Sequence, residues 1–331
     1  MLLFACNGSH EFGARVAEFL GVPLSPHEER DFEDGEHKIR PLVSVRGRDV
    51  YVIHSLHGGP AESANDKLCK LLFFLGALRD NGASRVTALV PYLAYSRKDR
   101  QTKTRDPVTT QYVARLFEAS GADCVVTLDV HNIVAFQNAF RCRTVHLDTR
   151  RLFASEVQAF LPNGTLTVAS PDPGGVKRAQ LFHEMLEKSS RRPIGQAFMD
   201  KRRSAGVVSG DLLVGDVRGS TVLVIDDLIS SGGTMARAAV AALENGAKQV
   251  IALAAHGLFT GDAQKTLATA PLSQTIITDT VPAFRLEKAF AASHVTIVSA
   301  APLFAGCIDC LHRGGSIARL LGDEDEKSRS N

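Results

Sequence analysis

The sequence predicts an α/β protein made of two tandem copies of one domain, each with a mainly parallel sheet flanked by helices. Three observations carry that expectation. Short β-forming runs at 49–55, 85–91, 124–129, 166–169, 222–226, 250–255 and 295–298 alternate with helical patterns at Ser63–Asn81, Thr109–Ser120, Gly175–Lys188 and Thr234–Asn245. Helices between successive strands are the crossovers that parallel pairing needs. The strand runs are almost continuously apolar, as in Val222-Leu223-Val224-Ile225, which is the pattern of strands covered on both faces. Finally, Gly121-Ala122-x-x-Val125-Val126-x-Leu128-x-x-His131 recurs as Gly246-Ala247-x-x-Val250-Ile251-x-Leu253-x-x-His256. Thr109 and Thr234 start the preceding helices in the same phase, and Gly82-Ala83-Ser84-Arg85-Val86 repeats the pattern in part. Each unit reads as a helix, a glycine stop and a buried strand, and the shared phase reads as duplication.

Size and composition agree. A chain of 331 residues is long enough for two domains with separate cores. Hydrophobic residues make up 44% and charged residues 22%, a soluble globular balance. A net charge of +2 argues against non-specific nucleic-acid binding. No apolar run approaches the ~20 residues of a membrane span, and MLLFACNGSH lacks the basic lead and apolar length of a secretory signal. The six cysteines are scattered except for Cys307-x-x-Cys310; one such pair is a weak zinc site and reads as free thiols in a cytoplasmic setting. The first domain is expected over 1–147 and the second over 148–300. A C-terminal segment, 301–321, is expected to pack on the first domain, with a disordered charged tail over 322–331.

The chemistry concentrates where strands end. At 222–234, VLVIDDLISSGGT, a strand runs into Asp226 and Asp227, then into Ser230-Ser231-Gly232-Gly233-Thr234 and a helix. Glycines let backbone amides approach a phosphate, hydroxyls add donors, and paired carboxylates suit sugar hydroxyls or a metal ion. PYLAYSRKDRQTKTRDP, over 91–107, gathers Arg97, Lys98, Arg100, Lys103 and Arg105 after another strand, a cluster that suits a polyphosphate better than a nucleic acid. Phe32-Glu33-Asp34-Gly35-Glu36 joins an aromatic face to alternating acids, which suits a nucleotide base and its hydroxyls, or equally a solvated turn. Thr127-Leu128-Asp129-Val130-His131-Asn132 and Ser170-Pro171-Asp172-Pro173-Gly174-Gly175 each end a strand in a metal-capable side chain. His131 with Asp172 suits Mg²⁺ only if water and phosphate oxygens complete the shell. Asp200-Lys201-Arg202-Arg203 opens a polar stretch with neither strand nor helix pattern; it reads as a basic lid over a phosphate site or as an exposed tip.

These segments, in this order, resemble the phosphoribosyl pyrophosphate (PRPP) synthetase, or ribose-phosphate diphosphokinase, family, and the resemblance covers nearly the whole chain. It implies two tandem phosphoribosyltransferase-like domains with the active site between them, and a homo-oligomer in which a neighbouring subunit completes the ATP site. ATP and ribose 5-phosphate are the implied substrates, Mg²⁺ the implied cofactor, and neither nucleic acid nor membrane a partner. Phe32, Asp34, Glu36, Arg97, Lys98 and Asp99 are then expected at ATP, and His131 and Asp172 at the metal. Lys201 and Arg203 are expected at the transferring group. Asp226, Asp227, Ser230, Ser231, Gly232, Gly233 and Thr234 are expected at ribose 5-phosphate. Two departures stand out: Lys98 replaces the family's usual Gln, and Ser230-Ser231 replace a common Asp-Thr. The implied reaction moves the diphosphoryl group of ATP to the C1 hydroxyl of ribose 5-phosphate, giving PRPP and AMP. The competing readings are a nucleobase phosphoribosyltransferase and a non-catalytic regulatory homologue.

Overall fold

The structure, a computed structural model, describes residues 1–160, 164–204 and 207–323, with only the backbone described at 160 and over 201–204 and 207–211. The chain divides into two compact units: Met1–Asp148 with the chain from Ala300 onward, and Thr149–Ser299.

The first unit opens with strand β1 (Leu2–Ala5) and helix α1 (His10–Leu20), followed by the strands β2 (His27–Asp31) and β3 (His37–Pro41). Then come β4 (Asp49–Ile53), α2 (Ala64–Asp80), β5 (Arg85–Val90), α3 (Thr109–Ala119), β6 (Cys124–Leu128), α4 (Ile133–Ala139) and β7 (Arg143–Leu147). Five strands form a parallel sheet in the order β1-β4-β5-β6-β7, while β2 and β3 pair only with each other, antiparallel. Val50, Tyr51, Val52 and Ile53 of β4 are fully buried, each contributing about 1.5–3 kcal/mol of apolar burial. Helix α2 starts at a capping box, in which the Asp66 amide donates to Ser63 Oγ and the Ser63 amide to the Asp66 carboxylate.

The second unit contains α5 (Arg150–Phe160), β8 (Leu166–Ser170), α6 (Val176–Ser190), β9 (Gly195–Ser204), β10 (Val207–Val214), β11 (Thr221–Ile229) and α7 (Gly233–Glu244). It continues through β12 (Gln249–Gly257), α8 (Ala263–Thr269), β13 (Gln274–Thr278), α9 (Lys288–His294) and β14 (Val295–Val298). Its seven-stranded sheet runs β10-β9-β8-β11-β12-β13-β14, and only the β9–β10 pair is antiparallel.

After the second unit, α10 (Ala301–Arg313) and α11 (Ile317–Leu321) belong with the first. Phe304 meets Phe12 edge to face at 5.5 Å. Arg85 Nη2 donates to the Leu311 carbonyl at 2.9 Å, and His312 Nδ1 lies 2.7 Å from Asp49 Oδ2. Gly322 caps α11 in a left-handed conformation and the Asp323 amide donates to Ala318. The rest of the tail expected to be disordered lies outside the described residues.

Both sheets contain the same five-strand core, β1-β4-β5-β6-β7 in one and β8-β11-β12-β13-β14 in the other. That order corrects the phase of the internal repeat. It pairs β5 with β12, and so Gly82 with Gly246 rather than Gly121 with Gly246. The backbone agrees: Gly47 N–H donates to the Gly82 carbonyl and Gly219 N–H to the Gly246 carbonyl, each at 2.8 Å. Ser84 N–H likewise reaches the Arg48 carbonyl, and Lys248 N–H the Ser220 carbonyl. All three glycines have positive φ after a helix, so the sequence pattern marks a recurring helix stop, which three different crossovers share. His256, matched to His131 by the sequence, is buried in β12 with Nδ1 2.8 Å from Thr280 Oγ1, whereas His131 is exposed beyond β6.

Candidate active site

In the second unit, β11 carries the acid pair further than the sequence suggests. Pairing with β12 continues through Leu228↔His256 and Ile229↔Gly257, so Asp226 and Asp227 sit inside the strand and not at its end. Carboxylates are unwelcome in a buried strand without a counter-charge, and Arg178 supplies one. Its Nη1 lies 3.4 Å from Asp226 Oδ1 and 3.6 Å from Asp227 Oδ1. Burial, then the Asp227 charge, push the Asp226 carboxyl well above the usual range, while Arg178 pulls it back. Arg178 is a site residue that the sequence reading missed; a cation in the first turn of the helix after SPDPGG is the signal that could have found it.

The loop beyond β11 is held in place from below. Ser230 Oγ is 2.7 Å from Thr260 Oγ1, and the Thr260 amide donates to the Ser230 carbonyl at 2.9 Å. Gly232, at φ +81°, is the N-cap of α7, a backbone shape that a side chain would strain. The first-turn amides of α7, at Gly233, Thr234 and Met235, have no intrahelical acceptors and are ready donors for an anion. Ser231 is exposed and Gly233 and Thr234 are half-buried. After β8, Asp172 Oδ1 accepts the Gly175 amide at 3.0 Å and Ser170 Oγ–H donates to the Asp172 carbonyl at 2.6 Å. The short helical turn thus fixed leads into α6 and Arg178, so Asp172 and the acid pair are tied through one helix.

The segment around Lys201 and Arg203 is extended, contrary to the expectation of an irregular stretch. Lys201 pairs in register with Asp211 and Arg203 with Val208, with a register shift between Val208 and Asp211. Pairing between β9 and β10, a tertiary partner that local pattern cannot show, makes these strands. The side chains of Lys201 and Arg203 lie outside the described residues.

In the first unit, Phe32, Asp34 and Glu36 occupy the tight turn from β2 to β3. Phe32 N–H donates to the Glu36 carbonyl at 2.8 Å and the Glu36 amide to Asp34 Oδ1 at 3.1 Å. Phe32 is an exposed large hydrophobic residue with the Arg30 guanidinium 5.0 Å from its ring centroid. After β5, Arg97 is exposed and makes no ion pair among the described residues. The Lys98 amine is bound by Asp106 and, at 3.0 Å, by Thr102 Oγ1. Asp99 Oδ2 accepts from Asn132 Nδ2 at 2.6 Å, which joins the loop after β5 to the loop after β6. Asn132 also caps α4 through the Val134 and Ala135 amides and was likewise missed, although Asn before a helical run is an N-cap signal. Asp129 has φ +39°, a costly backbone for a non-glycine residue and one typical of functional turns. Among the described residues, no hydrogen bond or ion pair joins Phe32, Asp34 or Glu36 to Arg97, Lys98 or Asp99.

A parallel-sheet domain whose strand carries an acid pair near its end and leads into a glycine-capped helix belongs to the class of α/β proteins built to bind a phosphorylated ligand. Comparison with known proteins narrows the class. Residues 1–121 match the model of the N-terminal domain of ribose phosphate pyrophosphokinase, and residues 209–322 that of the phosphoribosyl synthetase-associated domain. Ribose-phosphate pyrophosphokinase of Caldanaerobacter subterraneus subsp. tengcongensis is 36% identical over 320 residues, covering 96% of this chain and 97% of the relative. The Caulobacter vibrioides protein of the same name is 35% identical over 97% of this chain and 100% of its own length. The crystal structure of phosphoribosylpyrophosphate synthetase from Mycobacterium smegmatis superposes with a TM-score of 0.84 at 33% identity, covering 95% of this chain and 99% of that one. The chain belongs to the ribose-phosphate pyrophosphokinase family, and it is an enzyme of that family along essentially its full length.

Proposed function

We propose that this enzyme transfers the diphosphoryl group of ATP to the C1 hydroxyl of ribose 5-phosphate, giving PRPP and AMP for nucleotide biosynthesis. The observation that carries the reading is the acid pair of β11 leading into the glycine N-cap of α7, in a chain matched from end to end by ribose-phosphate pyrophosphokinases. Asp226 and Asp227 would accept hydrogen bonds from the sugar hydroxyls, while Ser230–Thr234 would surround the 5-phosphate with amides and hydroxyls. Phe32, Asp34, Glu36, Arg97, Lys98 and Asp99 are assigned to ATP. In this reading the enzyme self-associates, and a neighbouring subunit completes the ATP site. Lys201 and Arg203 would neutralise charge on the transferring group, in chemistry that is mostly positioning and electrostatics.

A divalent metal, Mg²⁺ by the chemistry of ATP, is part of the proposal. No group of three or more His, Cys, Asp or Glu residues among those described could hold an ion alone. The donors present, Asp172 and an exposed His131, fit an ion that takes most of its shell from phosphate oxygens and water. When bound, it would neutralise phosphate charge.

Purified protein given ATP and ribose 5-phosphate should release AMP and form PRPP in equal amounts. A nucleobase phosphoribosyltransferase or a silent homologue would form neither. Lys201→Ala should lower kcat by about 10²–10³ with KM little changed, the loss of a contact made in the transition state. A near-normal kcat in that variant would remove Lys201 from the reaction.

A further inference from the structure

The loop after β4 occupies, in the first unit, the place that the ribose 5-phosphate loop occupies in the second, because β4 and β11 match in both sheets. Its residues are turned inward. Ser9 Oγ lies 3.1 Å from His54 Nδ1 and accepts the Ser55 amide at 2.9 Å. Lys67 and Lys70 of α2 are only 3% and 4% exposed, although lysine is rarely buried unless paired. Lys70 Nζ lies 2.6 Å from Glu62 Oε1 in this loop, 3.3 Å from Asp31 Oδ1 and 3.4 Å from Glu29 Oε2, both of the latter in β2.

We infer that Lys70 is a positioning residue for ATP, acting through the β2–β3 turn. Its ammonium joins three pieces of the unit: α2, the loop after β4, and the last residues of β2. Asp31 directly precedes Phe32, so the tie lies one residue from the aromatic assigned to the base. Glu29 is itself fixed, with Oε1 2.9 Å from His27 Nε2 and 2.7 Å from the Asn7 amide that donates to it. On the far strand, His37 stacks on Phe73 of α2 with ring centroids 5.4 Å apart. Since β2 and β3 pair with no other strand, their orientation depends on such side-chain ties, and Lys70 makes two ion pairs that run from α2 to β2. A turn that must present Phe32, Asp34 and Glu36 as a fixed surface requires this kind of support. The inference rests on the assignment of that turn to ATP.

The test measures KM for both substrates, kcat, and amide hydrogen exchange over 27–41 in Lys70→Met, Lys70→Arg and Phe32→Ala enzymes. Lys70→Met should raise KM for ATP about tenfold, leave KM for ribose 5-phosphate within about twofold, and speed exchange in β2 and β3. Lys70→Arg, which keeps the charge, should restore most of the ATP affinity. Normal KM for ATP in Lys70→Met, alongside a raised one in Phe32→Ala, would overturn the role of Lys70 alone. Normal KM for ATP in Phe32→Ala would instead overturn the assignment of the turn. Because Lys70→Met leaves the buried Glu29 side chain and the partly buried Glu62 without their cation, the double variant Lys70→Met/Glu62→Gln serves as a second probe with less uncompensated charge. If both unfold, or if both lose affinity for the two substrates equally, the cluster is a determinant of the fold and the inference fails.

Discussion

The loops after β4 and β11 start from matched strands and end at matched helices, yet they use charge in opposite ways. After β4 the chain continues as His54-Ser55-Leu56-His57, and His54 Nδ1, His57 Nε2 and Glu62 turn inward to Ser9, Lys67 and Lys70. The positions that correspond in the second unit, Asp226 and Asp227, lie within the paired length of β11, with one arginine beside both carboxylates, and a loop of small residues then leads to a glycine N-cap. One backbone plan therefore yields a structural joint in one unit and a candidate sugar-phosphate site in the other. With the strand order shared, the difference between the two units comes from the residues at the carboxyl end of the strand.

The largest expected effect tests the open half of that contrast. Asp226→Asn and Asp227→Asn should each weaken ribose 5-phosphate binding by about 10- to 100-fold, the cost of about 1.5–3 kcal/mol for a hydrogen bond to a charged group. ATP binding should hold, because its assigned residues lie in the first unit. Separate calorimetric titrations of the two ligands measure this. Equal loss of both would mean that the acid pair maintains the unit and does not read the sugar. Of the two, Asp227→Asn should cost more, since burial and the neighbouring charge already disfavour ionised Asp226.

Much of this contrast was legible beforehand. All seven expected strands exist, and the four expected helices begin and end within two residues of the pattern. Apolar runs such as Val222–Ile225 and stops such as Gly82, Gly121 and Gly246 act locally, so local sequence reveals them. Several of the elements that were missed depend on distant partners. β2 (HEERD) and β3 (HKIRP) are rich in charge and form strands because they pair with each other and lie on α2. β9 continues as a strand through the polar and basic residues 200–204 because it pairs with β10. The acid pair was found, but not its Arg178, because the two are 48 residues apart and meet only through α6. The repeat was found in the wrong phase because a helix stop followed by a strand is common to every crossover in both sheets.

A smaller effect probes the closed half. His54 is fully buried, and burial, with the Lys67 charge adding to it, pushes its ring down to about 3. A folded-state value below the ordinary 6.5 means that the ring's contribution to stability is complete above pH 6.5 and is lost as pH falls toward 3. The slope approaches about 1.4 kcal/mol per pH unit for one such group. Glu29 acts in the same direction over a lower range. Burial raises its carboxyl, but His27, the Asn7 amide and Lys70 outweigh that and bring it to about 2, so its contribution is lost only below about pH 4.5. His54→Gln, which cannot take up a proton in this range, should therefore flatten denaturant-measured stability between pH 6.5 and 4.5 and leave the steeper loss below it. An unchanged slope would show that the loop after β4 opens to solvent before it unfolds.

The smallest expected effect concerns Lys98, which stands in the loop proposed to bind ATP, where the family usually has Gln. Its amine is committed within the loop: Asp106 binds it and also receives the amides of Thr102 and Lys103, at 3.1 and 3.0 Å. Those bonds hold the Asp106 carboxyl well below its usual range, with Lys98 the largest contributor. The pair is half-buried at the edge of solvent, and solvent-screened pairs contribute little to stability. A Gln at this position can still donate to Asp106 through its amide. Lys98→Gln should therefore change KM for ATP, and the preference for ATP over GTP, by no more than about twofold, because a pair of this kind fixes the shape of the loop and does not read the base. Measuring kcat/KM for ATP and GTP in both forms is the check. A tenfold change in their ratio would place the residue-98 side chain against the nucleotide base, and Asp106 would then be the group that releases it when ATP binds.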